Sequence, residues 1–554
     1  MTRLFTLVLS ALVVAACGAP EAPKPQAAAV FESATVYTRW DAEPQAVDVA
    51  VDAGGAVLWV GVADALESVV STEGAARYDL SGAVLYPGFT DSHAHLLGIG
   101  QRELSLDLSG IDSIAALVDQ VETEVSRLAA GETLVGRGWI ETGWPEGRMP
   151  TAADLDAASP DNPVLLTRAD GHALVANSAA LAAVGIDAET ADPDGGRIER
   201  DAAGAATGLL IDTAMALVAP LVAEPTEPDL IRAYVTGGTT YAARGWTGLH
   251  NMSVDPAHAP LMERLSLEGR LPLRIYNAFD ESGLDLAAAR RHETATITNR
   301  AVKIYMDGAL GSRGALLSEP YADQPGTSGL ALRRAPPTEA LMKRAEAAGV
   351  QLAIHAIGDL ANTRVFDWVE AALADGGRGA GLRWRIEHAQ ILANEDVPRF
   401  AELGVIASMQ PSHAIGDLKF APARLGLDRL AGAYAWRDVL DAGGVIAGGS
   451  DAPVEVGSPL IEFYAAVARK DLEGFQGEGW NPDQAVTRAE ALRMFTAAPA
   501  YAAFQEDVLG EIAPGRLADF TVFDRDLMTI PEAEILDAEP VMTVVGGKVV
   551  WTAR

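Results

Sequence analysis

Short apolar strands alternate with longer amphipathic segments through most of the chain, and this alternation is the feature that most restricts the fold. Apolar residues recur at helical spacing in five segments, at 114–128, 230–244, 338–348, 362–374 and 460–469. Eight runs have the pattern of strands, at 163–167, 247–250, 273–276, 301–305, 350–355, 384–388, 405–409 and 445–451. Strands that alternate with helices pair in parallel, with the helices packed outside the sheet. We therefore predict an α/β fold with a (β/α)8 barrel over residues 87–504; an open doubly wound sheet is the alternative.

Both ends of the chain are rich in strand patterns separated by turns. These predicted strands lie at 34–37, 47–51, 56–61, 519–524 and 541–551. Two β-rich ends around a long mixed middle predict one small composite β-sandwich, built from residues 30–86 and 505–554.

The first residues have the pattern of an export signal. Arg3 provides a positive start, and the apolar run at 4–16 is too short to span a membrane as a mature helix. The run ends at Cys17, the only cysteine, where bacterial lipoprotein signals carry the lipidated residue. We predict a lipoprotein signal over 1–17, lipidation of Cys17, and a flexible tether over 18–29. The protein is then expected on the periplasmic or surface side of the cell envelope; an ordinary secretory signal and a secreted protein are the alternative.

The chain of 554 residues has a formal net charge of −34. A strongly acidic surface repels nucleic acid and anionic membranes and favours solubility. We therefore expect a small-molecule substrate as partner, no nucleic acid, and a membrane reached only through the lipid anchor. A homodimer is the candidate assembly.

Two histidines one residue apart, His93 and His95, follow a predicted buried strand at 83–86. On an extended segment, side chains at i and i+2 point to the same side, so both imidazoles can reach one point. Neutral imidazole is the commonest protein ligand for zinc and also binds nickel, iron and copper. The pair predicts a metal site if further ligands follow other strands, and a solvated loop if they do not.

Further ligand residues do lie at the ends of predicted strands. His355, His388 and Asp451 each close such a run. Active sites of β/α barrels form at the carboxyl ends of the strands, where residues distant in sequence meet. Four histidines and a carboxylate at one end of a barrel predict a divalent metal centre, with zinc as the expected ion.

Lys303 lies inside the apolar strand predicted at 301–305, where an unpaired charge is costly. One solution is carbamylation by carbon dioxide, which makes a carboxylate that can bridge two metals. The other is an unmodified lysine that reaches solvent or pairs with Asp307 or Glu387. The residue types alone do not separate these two.

The chain resembles the amidohydrolase superfamily, specifically its amidohydrolase-3 or YtcJ-like family, which includes N-substituted formamide deformylase. The resemblance extends from about residue 34 to residue 550. Besides Lys303, the motifs that carry it are PGFTDSHAH (87–95), GRGW (136–139), DGH (170–172), NSAAL (177–181), DGALGSR (307–313), HAIGD (355–359), EH (387–388), QPSH (410–413), GSDAP (449–453) and PGRLAD (514–519). Together these motifs are specific for the family and uninformative about the substrate.

The resemblance implies a metal-dependent barrel with one or two divalent ions per chain. His93 and His95 would bind the first ion together with Asp451. Lys303, if carbamylated, would bridge to a second ion held by His355 and His388.

The implied reaction is hydrolysis of a non-peptide carbon–nitrogen bond in a small molecule. A divalent metal activates water and polarises the scissile carbonyl. Asp451 is predicted to take the proton of that water and deliver it to the leaving nitrogen. Deamination of an amino-substituted heterocycle is the alternative reaction, and a surface lipoprotein that binds small molecules without turnover is the alternative outside the enzymes.

Five further residues are predicted to contact the substrate or to support such a contact. His172 is predicted as a second catalytic residue that contacts the substrate carbonyl, with Asp170 orienting it by a hydrogen bond. His413 and Trp139 are predicted substrate contacts, against the alternatives of a hydrogen-bonded histidine and a packed indole. Arg313 is predicted to bind a substrate carboxylate, or else to fix its own loop through a salt bridge.

Overall fold

The computed structural model describes residues 24–553 apart from 142, 170, 172, 194, 223, 374–378 and 478–479. The predictions for Cys17, Asp170 and His172, and for the signal at 1–17, therefore lie outside the described residues.

Strands make up three sheets in the described part of the chain. The strands are β1 (Ala29–Val36), β2 (Gln45–Val51), β3 (Val57–Gly61), β4 (Ala76–Asp79), β5 (Val84–Pro87), β6 (Phe89–Ala94), β7 (Leu106–Asp107), β8 (Leu134–Trp139), β9 (Val164–Arg168), β10 (Ala173–Ala176), β11 (Gly196–Arg200), β12 (Ala206–Asp212), β13 (Trp246–Val254), β14 (Arg274–Phe279), β15 (Ile297–Tyr305), β16 (Gln351–Ala356), β17 (Arg385–His388), β18 (Ile406–Met409), β19 (Val445–Gly448), β20 (Phe520–Phe523), β21 (Pro540–Val545) and β22 (Lys548–Thr552).

Helices connect most of these strands. The α-helices are α1 (Ala63–Val69), α2 (Leu96–Leu104), α3 (Ile114–Val125), α4 (Ala152–Leu155), α5 (Ser178–Val184), α6 (Glu227–Arg244), α7 (Ala259–Leu267), α8 (Leu284–Ala289), α9 (Ala335–Ala348), α10 (Asp359–Leu373), α11 (Arg399–Leu403), α12 (Pro411–Asp417), α13 (Ala421–Leu425), α14 (Trp436–Asp441), α15 (Pro459–Ala468), α16 (Arg488–Phe495) and α17 (Ala497–Ala502). Short 3₁₀ helices lie at Thr213–Leu221, Pro256–His258, Glu281–Gly283, Gly379–Leu382, Leu427–Gly432, Pro482–Gln484 and Glu532–Asp537. Across the described ranges, no helix has the length and apolar character needed to cross a membrane.

Eight parallel strands form a nearly closed barrel, in the order β6-β13-β14-β15-β16-β17-β18-β19. The loop after β19 continues the pairing toward β6, because Asp451 N–H donates to His93 O at 2.6 Å and His95 N–H donates to Ala452 O at 2.8 Å. The predicted α/β barrel is confirmed. Its closing seam joins the two segments that carry His93, His95 and Asp451.

Helix α6 illustrates how local signals place an element beside the site. Thr226 and Asp229 form a capping box at its start, and Gly245, with φ 102°, ends it in the left-handed conformation that glycine adopts without strain. Its buried face includes Tyr241, whose hydroxyl donates to Asp91 Oδ2 at 3.1 Å. The helix thus supports the backbone that carries His93.

Strands from both ends of the chain form one sheet, in the order β22-β21-β20-β5-β1-β2-β3, with β4 paired to β1. Phe31 of β1 and Phe520 of β20 pack edge to face with ring centroids 5.4 Å apart. Their side chains meet across β5, which separates the two strands, and both belong to one apolar core. Both ends of the chain thus share one sheet and one core, while the arrangement as a β-sandwich over 30–86 and 505–554 stays a prediction.

The last residues of the predicted tether pack on this sheet instead of forming a flexible linker. Gln26 pairs with Ser71 in an isolated bridge, and Ala27 N–H donates to Ser71 O at 2.9 Å. Ala27 is also buried. These backbone hydrogen bonds explain the difference from the prediction at 24–29.

A third sheet, in the order β11-β12-β10-β9-β8-β7, is inserted between barrel strands β6 and β13. The strand predicted at 163–167 is β9 of this insertion and not a barrel strand. Trp139 ends β8 with its indole fully buried, and Nε1 donates to Leu166 O at 2.9 Å. The predicted substrate contact of Trp139 is corrected accordingly, because an indole enclosed in an apolar core has no face for a ligand.

Candidate metal centre

The end of β6 directs two imidazoles toward one carboxylate. His93 lies within the strand and is fully buried, whereas His95 follows it and has a side chain that is 28% exposed. Their Nε2 atoms lie 3.4 Å and 3.1 Å from the same atom, Asp451 Oδ1. The predicted convergence of His93, His95 and Asp451 is present in the structure.

Strands β16 and β17 bring the other two predicted histidines to the same place. His355 and His388 have ring centroids 4.5 Å apart, and the ring of His388 lies 4.7 Å from that of His93. Ligand atoms of His93, His388 and Asp451 lie within 4.8 Å of one another, a spacing that one metal ion can bridge.

The proton positions in this cluster follow from the partners of the Nδ1 atoms. The pairs are His93 Nδ1 with Glu387 Oε2 at 2.5 Å, His95 Nδ1 with Met252 O at 3.1 Å, and His388 Nδ1 with Gln410 Oε1 at 2.9 Å. Each of these oxygens accepts a hydrogen bond, so each Nδ1 carries the ring proton and each Nε2 keeps its lone pair.

Lone pairs that face one another repel unless a cation lies between them. The Nε2 atom of His95 faces the Asp451 carboxylate, and that of His93 faces both this carboxylate and Lys303 Nζ, which lies 3.1 Å away. The Nε2 atom of His355 is buried with no hydrogen-bond partner. Neutral imidazoles and a carboxylate are the donors that zinc and related divalent ions prefer. The residues present therefore fit a divalent metal.

The charge states agree with this assignment. Burial lowers the pKa of His93 to about 4 and that of His355 to about 3, so both are neutral at pH 7. Burial alone would raise the pKa of Asp451, but the surrounding imidazoles, His93 first, hold it well below its usual value. Asp451 is therefore an anion.

Lys303 lies 3.1 Å from this cluster, measured from its Nζ atom to His93 Nε2. It is 2% exposed, and burial lowers its pKa to about 8. The Asp307 carboxylate accepts backbone N–H bonds from Leu316, Ile357 and Gly358 at 2.8–3.0 Å. Lys303 therefore neither reaches solvent nor pairs with Asp307.

Two site residues have left-handed backbone, with φ 75° at His388 and φ 60° at Asp451. This conformation is unfavourable for residues other than glycine and recurs at functional sites. His388 is the last residue of β17, and Asp451 lies three residues after the end of β19.

In the sequence, Glu387 belongs to a family motif and is one predicted partner for Lys303, and no role is predicted for Arg385. Both side chains are fully buried inside the barrel, and Arg385 Nε lies 2.7 Å from Glu387 Oε1. Burial would raise the pKa of Glu387, but Arg385, His93 and Lys303 hold it well below its usual value. Two charged residues at alternate positions of an apolar strand were the available signal, because buried charges must be paired.

The remaining predicted contacts separate into two groups. His413 joins the site: its Nε2 atom lies 3.6 Å from Asp451 Oδ2, is buried, and has no hydrogen-bond partner. Arg313 does not, because its guanidinium donates to both oxygens of Asp323, at 3.1 and 2.8 Å. The loop-fixing alternative is thus the one seen for Arg313.

A cavity of about 210 Å³ opens beside His95. Its lining includes Leu97, Tyr234, Met252 and Val254, and polar groups are supplied by residues such as Asp255 and His258. His95, the most exposed of the clustered imidazoles, is the residue of the cluster that lines this cavity.

A parallel barrel whose carboxyl end gathers several imidazoles around a carboxylate is the architecture of a metal-dependent hydrolase. The family model Amidohydro_3, an amidohydrolase family, matches residues 77–551, and the chain belongs to that family. The predicted family is confirmed, and the protein is an enzyme that hydrolyses carbon–nitrogen bonds other than peptide bonds.

Relatives with sequence similarity over nearly their full lengths support this family membership. The chain is 34% identical to the putative amidohydrolase YtcJ of Bacillus subtilis (strain 168), covering 94% of this chain and 99% of the relative. It is 30% identical to the N-substituted formamide deformylase of Arthrobacter pascens, covering 92% and 95%.

A solved structure confirms the architecture. An uncharacterized metal-dependent hydrolase from Pyrococcus horikoshii OT3 is 27% identical, with a TM-score of 0.75, and the match covers 91% of this chain and 98% of that one.

Proposed function

We propose that this protein hydrolyses small-molecule amides that carry an apolar N-substituent, with zinc at the His93–His95–Asp451 cluster. The observation that carries the proposal is the convergence of lone-pair imidazole nitrogens on the Asp451 carboxylate, at 3.1 and 3.4 Å. The similarity to a formamide deformylase supports an amide substrate.

The metal and the chain have separate tasks in this reaction. When bound, a divalent ion supplies Lewis acidity, which lowers the pKa of water and polarises the scissile carbonyl. Asp451 is the group that moves the proton. Its ionised carboxylate accepts a proton from the attacking water and later donates it to the leaving nitrogen, so that amide and water become a carboxylic acid and an amine.

His413 is placed to hold the substrate carbonyl. Gln390 Nε2 lies 3.0 Å from His413 Nδ1, which makes Nδ1 the acceptor and leaves the proton on Nε2. That buried N–H, beside Asp451, can donate to the oxygen of the amide. The apolar lining of the cavity beside His95 suits the N-substituent.

Lys303 is proposed to become carbamylated and to bridge a second ion held by His355 and His388. Its support is the burial of the amine beside these imidazoles and a pKa lowered to about 8, which leaves a reactive neutral fraction at neutral pH. Carbon-13 NMR of protein equilibrated with labelled bicarbonate tests this: a carbamate signal that disappears in Lys303→Met supports it, and no signal contradicts it.

The activity test uses the full chain loaded with zinc and the same protein stripped by a chelator. N-formyl, N-acyl, cyclic-amide and amino-heterocycle compounds are compared for released amine and ammonia. Zinc-dependent amine release is expected. Ammonia from a heterocycle would instead favour the deaminase, and no product from zinc-loaded protein would favour a non-catalytic binding protein.

We propose that Cys17 is lipidated and anchors the enzyme to a membrane outside the cytoplasm. We also propose that the enzyme is a homodimer. Membrane fractions of cells that express the wild type and Cys17→Ser test the anchor, and size-exclusion chromatography with light scattering tests the dimer. Release of the serine variant from the membrane fraction is expected.

A further inference from the structure

His93 is held by a charged partner, whereas His95 and His388 are held by neutral ones. Glu387 Oε2 lies 2.5 Å from His93 Nδ1, while the other two Nδ1 atoms contact a backbone carbonyl and a side-chain amide. A carboxylate acceptor forms a shorter and stronger hydrogen bond than a neutral oxygen. It also makes the opposite ring nitrogen a better metal ligand.

Both carboxylate oxygens of Glu387 face Arg385, although the contact of Oε1 is an ion pair without hydrogen-bond geometry. Oε2 also accepts from Arg385 Nη2 at 3.0 Å, and Oε1 lies 2.7 Å from Arg385 Nε. Both side chains are fully buried. Among the described residues, the hydrogen bond that links Glu387 to the metal centre is the one with His93 Nδ1.

Arg385 is itself fixed by residues of three other barrel strands. Nη1 donates to His250 Nδ1 at 2.6 Å, and Nη2 donates to Ser92 O at 2.6 Å and to Ser408 Oγ at 2.7 Å. These partners belong to β13, β6 and β18. The guanidinium is therefore held in one place inside the barrel, and it holds Glu387 with it.

We propose that Glu387 and Arg385 are positioning residues for the metal centre. Glu387 keeps the ring proton of His93 on Nδ1, which leaves Nε2 as a lone-pair donor, and Arg385 keeps the Glu387 carboxylate in place. The inference rests on the proposed function, because it requires that a divalent ion binds at His93.

The test compares the Zn²⁺ affinity of full-length wild type, Glu387→Gln and Asp519→Asn by competition with a chromophoric chelator. Glu387→Gln keeps the shape and removes the charge. Asp519→Asn is the matched control, since it removes a carboxylate from another largely buried arginine pair, with Arg274, away from the site. We expect zinc to bind about 10- to 100-fold more weakly to Glu387→Gln, and unchanged binding in Asp519→Asn.

Cobalt-loaded protein provides a second measurement, which would not change if Glu387 only stabilised the fold. The visible absorption spectrum of Co²⁺ bound to Glu387→Gln should differ from that of the wild type, because the donor strength of His93 changes. Equal zinc affinity and equal cobalt spectra in the two proteins would overturn the inference. A wild type that takes up no zinc is a different result, since it would overturn the proposed function as well.

If Glu387→Gln fails to fold, neutron diffraction of the wild type decides the matter. A deuteron on Nδ1 of His93 and none on Nε2 is expected. A deuteron on Nε2 would contradict the inference without any variant.

Discussion

The two ends of the barrel hold buried polar side chains for different purposes. At the amino end, Arg274 donates to both oxygens of Asp519, at 2.5 and 3.0 Å, and Gly546 N–H donates to Asp519 Oδ1 at 2.7 Å. At the carboxyl end, the Nε2 atoms of His355 and His413 are buried and have no hydrogen-bond partner. The charged groups at the amino end therefore have partners within the protein, whereas polar atoms at the carboxyl end lack them.

This difference separates a structural ion pair from a reactive site. The Arg274–Asp519 pair joins a barrel strand to the terminal sheet, and its groups satisfy one another. Buried polar groups without partners are costly and rare, so a cluster of them indicates a ligand that completes it.

Removal of the metal should give the largest effect and affect only the carboxyl end. Chelation is expected to abolish amide hydrolysis. It should also lower the free energy of unfolding by about 4 kcal/mol, compared with protein in zinc at a thousand times the dissociation constant. Activity assays and calorimetry before and after zinc is restored measure both. Unchanged activity in metal-free protein would contradict the assignment of this end.

Asp451→Asn should be next in size. The variant loses the group that moves the proton but keeps an oxygen at the same place, so we expect kcat to fall between about 100-fold and 10,000-fold. Metal analysis of the purified variant is the control, because much of the metal should remain bound. A kcat near that of the wild type would show that Asp451 does not transfer the proton.

Asp519→Asn tests the amino end and should change stability instead of activity. Loss of one partner leaves the Arg274 guanidinium largely buried without its countercharge, and we expect a loss of about 3 kcal/mol in the free energy of unfolding. Urea denaturation measures the loss, and kcat at a temperature where the variant is folded should match the wild type. A large fall in kcat would show that the amino end also contributes to catalysis, against the comparison of the two ends.

Trp139→Phe should have a smaller effect, confined to the inserted sheet. The smaller ring loses contacts and leaves the Leu166 carbonyl without its donor, so we expect a loss of about 1–3 kcal/mol in stability. Steady-state kinetics should show an unchanged KM. A raised KM with unchanged stability would restore the substrate contact predicted from sequence.

Arg313→Ala should give the smallest effect. Its pair with Asp323 is about one-third exposed, and such surface pairs contribute roughly 0.2–1 kcal/mol. Both kcat and KM are expected to stay within about twofold of the wild type. A selective loss of activity toward carboxylate-bearing amides would show that Arg313 binds substrate.

The barrel was predictable because its signals are local. The helices predicted at 230–244 and 362–374 correspond to α6 and α10, and each predicted run from 247–250 onward has a barrel strand. The inserted sheet was not predictable in the same way. An apolar run such as the one at 163–167 looks the same whichever sheet it joins, because pairing partners are distant in sequence.

The sequence by itself determined the family, through its motifs, and the parallel barrel. It also determined which side chains cluster at the carboxyl end, since residues at the ends of parallel strands lie near one another. Only the tertiary structure decided which ring nitrogen of His93, His95 and His388 carries a proton. That choice depends on acceptors such as Met252 O, Glu387 and Gln410, which spacing along the chain does not reveal. It likewise decided that Arg274 and Arg313 are paired and that Trp139 is buried, because hydrogen bonding and burial depend on what the fold places beside a side chain.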